Sequence, residues 1–380
     1  MRILTLADIH IGNIKDCTYV YNVITDIIEK EIIFTKTDAL IILGDYFDRL
    51  FKANEEYIAL AINVMSYIIR ACAKNHTKIR LVYGTESHEM DQYKLFNYHF
   101  TSNKVDVRLI TTATEEELFP GINVLYLPEE YIQDKTKFYK KTLYSGKRYQ
   151  YIFGHGIIED GMPPMVSFGK NPQNNEKQVP RFKSGELANA ADLTVFGHYH
   201  VYTSMDGNVH YLGSLFRNCF GEETPKGYGI ISDDKLDFIE NKEAYIFKTY
   251  EFNEDSDVYK SLDELIKAID DIKEQNPEIF RGVHYGKIRL VFHCPASCDI
   301  DIKGHLKTLG PHNKEFTTLI EESNDDVMEE VGDDIADEYE FILDNSMKLT
   351  DKIHLFITKH YDEPMSLDEL IDYISKPLEV

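Results

Sequence analysis

The sequence predicts an α/β fold, a layered sheet with helices against it, followed by a smaller C-terminal α+β region. Three observations predict it. The N-terminal part alternates apolar strand runs with helical periodicity, which favours sheet and helix layers. Five apolar runs in the first 200 residues lead into turns that carry glycine together with Asp or His. After Ser232 the pattern shifts to shorter, more charged elements. The expected boundaries are 1–240, 241–320 and 321–380.

In chain order, Arg2–Leu6 reads as a strand leading into Asp8-Ile9-His10-Ile11-Gly12. The D-x-H spacing lets two side chains point the same way from extended backbone. Val20, Val23, Ile24, Ile27 and Ile28 recur at helical spacing and predict a helix over Tyr19–Lys30. Leu40–Leu43 is an unbroken apolar run, a strand buried on both faces. Gly44 then permits a sharp turn, and Asp45 and Asp48 follow. A second helix is expected over Asn54–Lys74. Lys78–Tyr83 is the third strand, ending in Gly84-Thr85-Glu86-Ser87-His88-Glu89. Strands follow at Asn123–Leu127, at Tyr149–Phe153 before Gly154-His155-Gly156, and at Ala191–Phe196 before Gly197-His198-Tyr199-His200. Asn208–Leu212 and Tyr228–Ser232 close the set.

Composition narrows the class. Hydrophobic residues at 43% and aromatics at 12% exclude a disordered chain. No contiguous apolar run approaches the ~20 residues of a membrane span, and MRILTLADIH lacks the features of a signal peptide, so no membrane partner is expected. The five cysteines form no CxxC pair, which predicts reduced thiols and a cytoplasmic location, with Cys294 and Cys298 read as loop residues. The net charge is −24, but twelve acidic and no basic residues fall within Glu321–Asp344, while Lys135–Arg148 and Lys170–Lys183 are locally basic. Local charge decides phosphate binding, so the global balance neither supports nor excludes nucleic acid.

Carboxylates and imidazoles without thiolate suit Mn, Fe or Zn in open coordination rather than structural zinc. Two such ions sharing a carboxylate clamp the oxygens of an in-line phosphoryl displacement and lower the pKa of bound water. Asp8, His10, Asp45, His155, His198 and His200 are read as the ligands. His76, His99, His210 and the histidines after residue 280 are read as structural.

D-x-H, GD-x-x-D, a glycine turn with histidine and acid, GH, and GH-x-H resemble, in that order, the calcineurin-like metallophosphoesterases. The later stretch Tyr211–Tyr228, with its GS-x-x-R…FGE…KG pattern, resembles the SbcD-type nucleases of bacterial and phage double-strand-break repair. The resemblance covers about residues 1–232. It implies a β-sandwich metallophosphoesterase core flanked by helices and an α+β domain capping the DNA side. It also implies two divalent ions, Mn²⁺ first with Mg²⁺, Fe²⁺ or Zn²⁺ as alternatives. One is held by Asp8, His10, Asp45 and His200, the other by the bridging Asp45 with His155 and His198. Asp48 sits where the family orients ligands by hydrogen bonds, His88 where it assists the leaving group, and Arg217 where substrate binds. The family's GNH segment, whose asparagine binds the second metal, reads GTESHE here. Ser87 is the first substitute for that ligand and Thr85 the second.

The resemblance further implies DNA exonuclease and endonuclease activity in repair, recombination and replication. It implies an SMC-like coiled-coil ATPase partner, a homodimer, and a bacterial or phage-infected cytoplasm. Two other readings remain: a phosphatase or small-molecule phosphodiesterase of the same superfamily, and a DNA-end-binding scaffold with a degenerate metal site. Beyond Ser232, Ile246–Phe252, Lys287–Phe292 and Lys314–Ile320 read as strands. Helices are expected at Leu262–Gln275, opened by the capping box Ser261–Glu264, and at Ile302–Leu309. The acidic stretch Glu321–Asp344 is read as solvated. The C-terminal helix Leu367–Ser375 packs on its own domain or docks on the ATPase.

Overall fold

The computed structural model describes residues 1–161, 178–280, 285–295 and 302, and the backbone of 316–322. Cys298, the rest of helix 302–309, residues 170–177 of the second basic cluster, the acidic stretch beyond 322 and the C-terminal helix lie outside the described residues.

Two six-stranded sheets face one another between helical layers. The first has the order 235–240, 227–232, 2–6, 39–43, 78–82, 107–110. Its last four strands run parallel, and 227–232 pairs antiparallel with both neighbours. The second has the order 203–205, 209–211, 191–197, 149–155, 122–127, 114–119, with 122–127, 149–155, 191–197 and 209–211 parallel.

Alternation along each strand sorts the core into layers. Leu4, Leu6, Leu40, Ile42, Ile79 and Leu81 meet the helices Cys17–Ile28 and Glu56–Asn75. Ile3, Ala39, Ile41, Leu43 and Val82 face Val124, Tyr126, Tyr151, Phe153, Leu193 and Val195 of the other sheet. Leu125, Leu127, Ile152 and Phe196 pack outward against Tyr139, Phe182 and Leu187. This is the α/β sandwich with flanking helices that the sequence leads one to expect.

The main strands fall where their apolar runs place them, with smaller differences elsewhere. The first helix begins at Cys17 because Asp16 caps it, its side chain accepting the Tyr19 N–H at 2.9 Å, and it widens into a π-helical turn over Glu29–Phe34. Strands Val107–Ile110, Thr114–Phe119 and Lys235–Glu240 do not stand out in the sequence, because each is partly exposed and rich in charge. Helix Glu56–Asn75 is long and apolar enough to cross a bilayer by length and composition, but half of it is buried inside the protein. Leu60, Val64, Met65, Ile68 and Ile69 form its core-facing side.

The chain divides into two compact units, the first being Met1–Glu251 with Leu265–Val291 and Asp301–Leu319. Strands Ile246–Phe252, Gly286–Cys294 and Phe316–Glu322 make a three-stranded sheet in that order, and helix Leu262–Gln275 buries Leu265, Ile269 and Ile272. In the second unit Tyr259 donates to the Phe252 carbonyl at 2.8 Å, and the Phe252 and Phe292 rings stack.

Candidate metal centre

The parallel strands of both sheets deliver their C-terminal ends to one place, where open α/β sheets carry their chemistry. Asp8 and His10 follow strand 2–6, Asp45 follows 39–43, and Thr85 and His88 follow 78–82. From the other sheet come Glu129 after 122–127, His155 at the end of 149–155, and His198 and His200 after 191–197. Backbone bonds lock the first two turns together: the His10 N–H donates to the Asp45 carbonyl at 3.0 Å and the Asp8 N–H to Gly44 at 3.3 Å.

The backbone is strained at the positions that carry these groups. Asp8, His10, Asp45 and His198 have φ of 47°, 48°, 47° and 95°, a region that side chains other than glycine's rarely adopt. Gly44 must be glycine, since a Cβ there would lie 2.2 Å from His155 Nδ1. A Cβ on Gly84 would lie 2.3 Å from Asp45 Oδ1.

Four overlapping groups of side chains each bring ligand atoms within 4.8 Å of one another: Asp8, His10, His200; His10, Asp45, His88; Asp8, Asp45, His155; and Glu129, His155, His198. His155 is the clearest donor. Its Nδ1 bonds the Leu43 carbonyl at 2.8 Å, an acceptor, so Nδ1 carries the hydrogen and Nε2 presents its lone pair. That Nε2 is buried with no hydrogen-bond partner, 3.4 Å from Asp45 Oδ2. His10 and His200 aim their Nε2 atoms at a common point, 3.1 Å apart. Two ring nitrogens that close and a buried unpartnered third, among hard oxygen donors, fit divalent cations of the Mn, Fe or Zn type.

The electrostatics agree. Burial lowers the pKa of His10 to about 3 and, helped by His155, that of His198 to about 4, so both rings are neutral donors. Burial opposes charge on His155 as well, but Asp45, Asp8 and Glu129 outweigh it and hold its pKa well above the ordinary value, so the metal-free ring favours a second proton on Nε2, the atom from which a cation would displace it. Asp8 is raised, chiefly by burial. Asp45, which burial alone would raise, is held low by His155 and His10. The cluster is an excess of buried carboxylate calling for positive charge.

Asp48 lies where it can orient His10, Oδ1 standing 3.6 Å from His10 Nδ1 while accepting from Asn13 at 3.2 Å. His88 sits at the rim, its ring edge-on to that of His10 with centroids 5.1 Å apart and its Nδ1 held by the Asp48 carbonyl.

Two of the expected site residues lie in settings that the sequence pattern does not convey. Ser87 does not reach the cluster: residues 86–89 form a helical turn that rotates it outward, and it is exposed. The turn residue at the centre is Thr85, whose N–H donates to Asp45 Oδ1 at 2.6 Å and whose hydroxyl is 3.2 Å from Oδ2. Arg217 is half-buried, and one of its guanidinium nitrogens, Nη1, donates to the Ala244 and Tyr245 carbonyls at 3.3 Å.

Three acids join the site that were given no role in it from the sequence: Glu89 and Glu222 stand within quoted motifs, Glu129 in none. Glu89 is fully buried and accepts from the N–H groups of Gly84 at 2.6 Å and Tyr46 at 2.9 Å and from the Tyr93 hydroxyl at 2.8 Å, clamping two of the turns. Burial and the Asp45 charge push its pKa up to about 8. Glu222 bonds His200 Nδ1 at 2.7 Å, which directs that ring's Nε2 to the cluster. Burial would raise the Glu222 pKa, but His200, the Asn218 N–H and Lys226 draw it down to about 2. Lys226 also donates to the His200 carbonyl at 2.7 Å. Glu129 carries a side chain 1% exposed, with Oε2 standing 3.5 Å from His198 Nδ1. Pro128, not glycine, precedes it; the available signal is an acid just past a buried strand.

A profile of the calcineurin-like phosphoesterases matches residues 1–202. No curated protein matches the chain. Among the solved structures that match, one crystal structure is similar at 12% identity and a TM-score of 0.36, over 63% of this chain and 99% of its own.

Proposed function

The chain belongs to the calcineurin-like phosphoesterase family, and we propose that within it this is a two-metal DNA phosphodiesterase, an exonuclease and endonuclease of the SbcD type. Asp8, His10, Asp45 and His200 hold one divalent ion, Mn²⁺ first among the candidates. Asp45, His155 and His198 contribute to the other. When bound, such a pair polarises a phosphodiester and supplies water of lowered pKa. The protein's own part is orientation and proton handling. Asp48 steadies His10 and Glu222 steadies His200. His88, its Nδ1 held by the Asp48 carbonyl, leaves Nε2 available, and as the imidazolium, with both ring nitrogens protonated, it would give the Nε2 proton to the departing 3′ oxygen and end as the neutral Nδ1–H ring.

The observation that carries the nuclease reading is the contact between Glu222 and His200. The stretch Tyr211–Tyr228 resembles the nuclease branch, and two of its charged residues, Glu222 and Lys226, support the His200 ligand directly. Partners on this reading are DNA, an SMC-like coiled-coil ATPase and a second copy of the chain, in the cytoplasm of a bacterium or phage-infected cell.

The test sets Mn²⁺-dependent cleavage of linear duplex DNA beside hydrolysis of p-nitrophenyl phosphate, each with and without chelator. Chelator-sensitive DNA cleavage is expected. Monoester hydrolysis without DNA cleavage would move the activity to a phosphatase. That second reading draws on one observation: Lys135, Lys147 and Arg148 of the basic cluster are engaged by Glu186, Glu115 and Asp192.

A further inference from the structure

We propose that Glu129 is a ligand of the second cation, supplying from the opposite sheet the donor that the altered glycine-turn segment does not. This rests on the two-metal reading above. The segment Gly84–Glu89 offers no amide: Thr85 is committed to Asp45, and Ser87 points away. Glu129 fills the gap from strand Ile122–Leu127. Its N–H donates to the Tyr83 carbonyl at 3.1 Å, which pins the residue beside the glycine turn. Its Oε2 then lies 3.5 Å from His198 Nδ1, 3.9 Å from His155 Nε2 and 3.4 Å from the Thr85 hydroxyl.

Those distances separate a ligand from a merely hydrogen-bonded acid. A buried carboxylate in a purely structural role is held by donors at about 2.7–3.0 Å, because leaving it unsatisfied is expensive. Here the Tyr131 hydroxyl, at 3.4 Å, is no nearer than Thr85, and the facing His155 Nε2 has no hydrogen-bond partner at all. Ligand atoms sharing one ion at about 2.0–2.2 Å stand about 3–3.5 Å from each other. Asp45 Oδ2 to His155 Nε2, His155 Nε2 to Glu129 Oε2 and Glu129 Oε2 to His198 Nδ1 are 3.4, 3.9 and 3.5 Å, and the ligand atoms of Glu129, His155 and His198 all lie within 4.8 Å of one another, close to a shell that contracts slightly onto a cation. The consequence is chemical. A carboxylate in place of an amide adds a negative charge to this site, so the loss of asparagine need not weaken it.

Manganese alone is the probe. Metal-free full-length protein is titrated with Mn²⁺ by calorimetry, and the loaded protein is read by electron paramagnetic resonance for the exchange-coupled signal of a Mn pair. Wild type is expected to bind two ions per chain. Glu129→Ala is expected to keep the first and bind the second more than about 100-fold more weakly, beyond what losing an outer hydrogen bond does, with the coupled signal lost. Glu129→Gln, an amide of the same shape without the charge, is expected to keep two ions and the coupled signal while binding the second about 10-fold or more weakly than wild type, and it carries the test if the alanine variant misfolds by circular dichroism. Two ions of unchanged affinity in Glu129→Ala would overturn the assignment alone, as would unchanged second-ion affinity in Glu129→Gln should that variant carry the test. Fewer than two in wild type would overturn the two-metal reading with it.

Discussion

Two clusters of buried charge tie the facing sheets together, and they are built on opposite principles. Around Arg80, fully buried on strand 78–82, the guanidinium takes Glu116 from the other sheet in a two-pronged pair at 2.7 Å and Asp106 at 3.0 Å. Tyr126, Arg108 and Lys78 complete the shells of the two acids. At the strand ends, by contrast, Asp8, Asp45, Glu89 and Glu129 crowd together with ring nitrogens that have no hydrogen-bond partner. The first cluster satisfies its charges internally and so rigidifies the sandwich. The second holds unsatisfied donor atoms in strained backbone, an arrangement that makes sense only if something else completes it.

The sharpest way to break that contrast is to exchange the consequences of mutation. Asp45→Asn is expected to reduce hydrolysis by about 10⁴-fold or more with only a small fall in the Tm of the metal-free protein, because the lowered Asp45 pKa means that the folded state favours its charge. A fall as large as that of the Arg80 variant would mean that the strand-end cluster is structural too. Arg80→Ala is expected to do the reverse. Removing one partner of a buried pair costs about 3–5 kcal/mol, read from urea unfolding, with turnover per folded molecule nearly intact. A loss of turnover beyond the unfolded fraction would join the two clusters into one functional unit.

A smaller effect sharpens the contrast within the site. Glu222→Gln should leave His200 in place but loosen control of its tautomer, weakening Mn²⁺ binding by about 10–100-fold in calorimetric titration. Unchanged affinity would reduce Glu222 to a partner of Lys226.

The same contrast explains what can be read from the sequence. Asp8, Asp45, His155, His198 and His200 each follow a long apolar run through a turn that carries glycine, and the structure brings them together where those strands end. Glu129 follows an equally buried strand but has no glycine to mark it. Its importance depends on which strand of the other sheet comes to lie beside Tyr83. Reading Ser87 as a ligand because it adjoins His88 treats a helical turn as though it were extended; at about 100° per residue, neighbours diverge. Arg80 is unremarkable inside a strand pattern, because its value depends on Glu116 and Asp106, placed by strands that are partly exposed and charged. Local patterns reveal strands and the turns at their ends, whereas pairings between sheets become visible only once the sheets are stacked.

The subtlest test uses the opposite pH signs of the two clusters in metal-free protein. Burial would raise the Glu116 pKa, but Arg80 overrides it and holds the carboxyl below its ordinary value. Its contribution is therefore complete above the unfolded carboxylate pKa of about 4.5 and lost as pH falls through the lowered value. Glu89 is the mirror case: pushed up to about 8, it takes up a proton on folding, so its contribution is complete below about 4.5 and lost as pH rises through about 8. Urea midpoints measured from pH 3 to 9 should thus fall at both ends. Glu116→Gln should flatten the acid limb alone and Glu89→Gln the alkaline limb alone. If either substitution flattened both limbs, the two clusters would be exchanging protons as one system, and the division between a structural and a functional end of the sandwich would not hold.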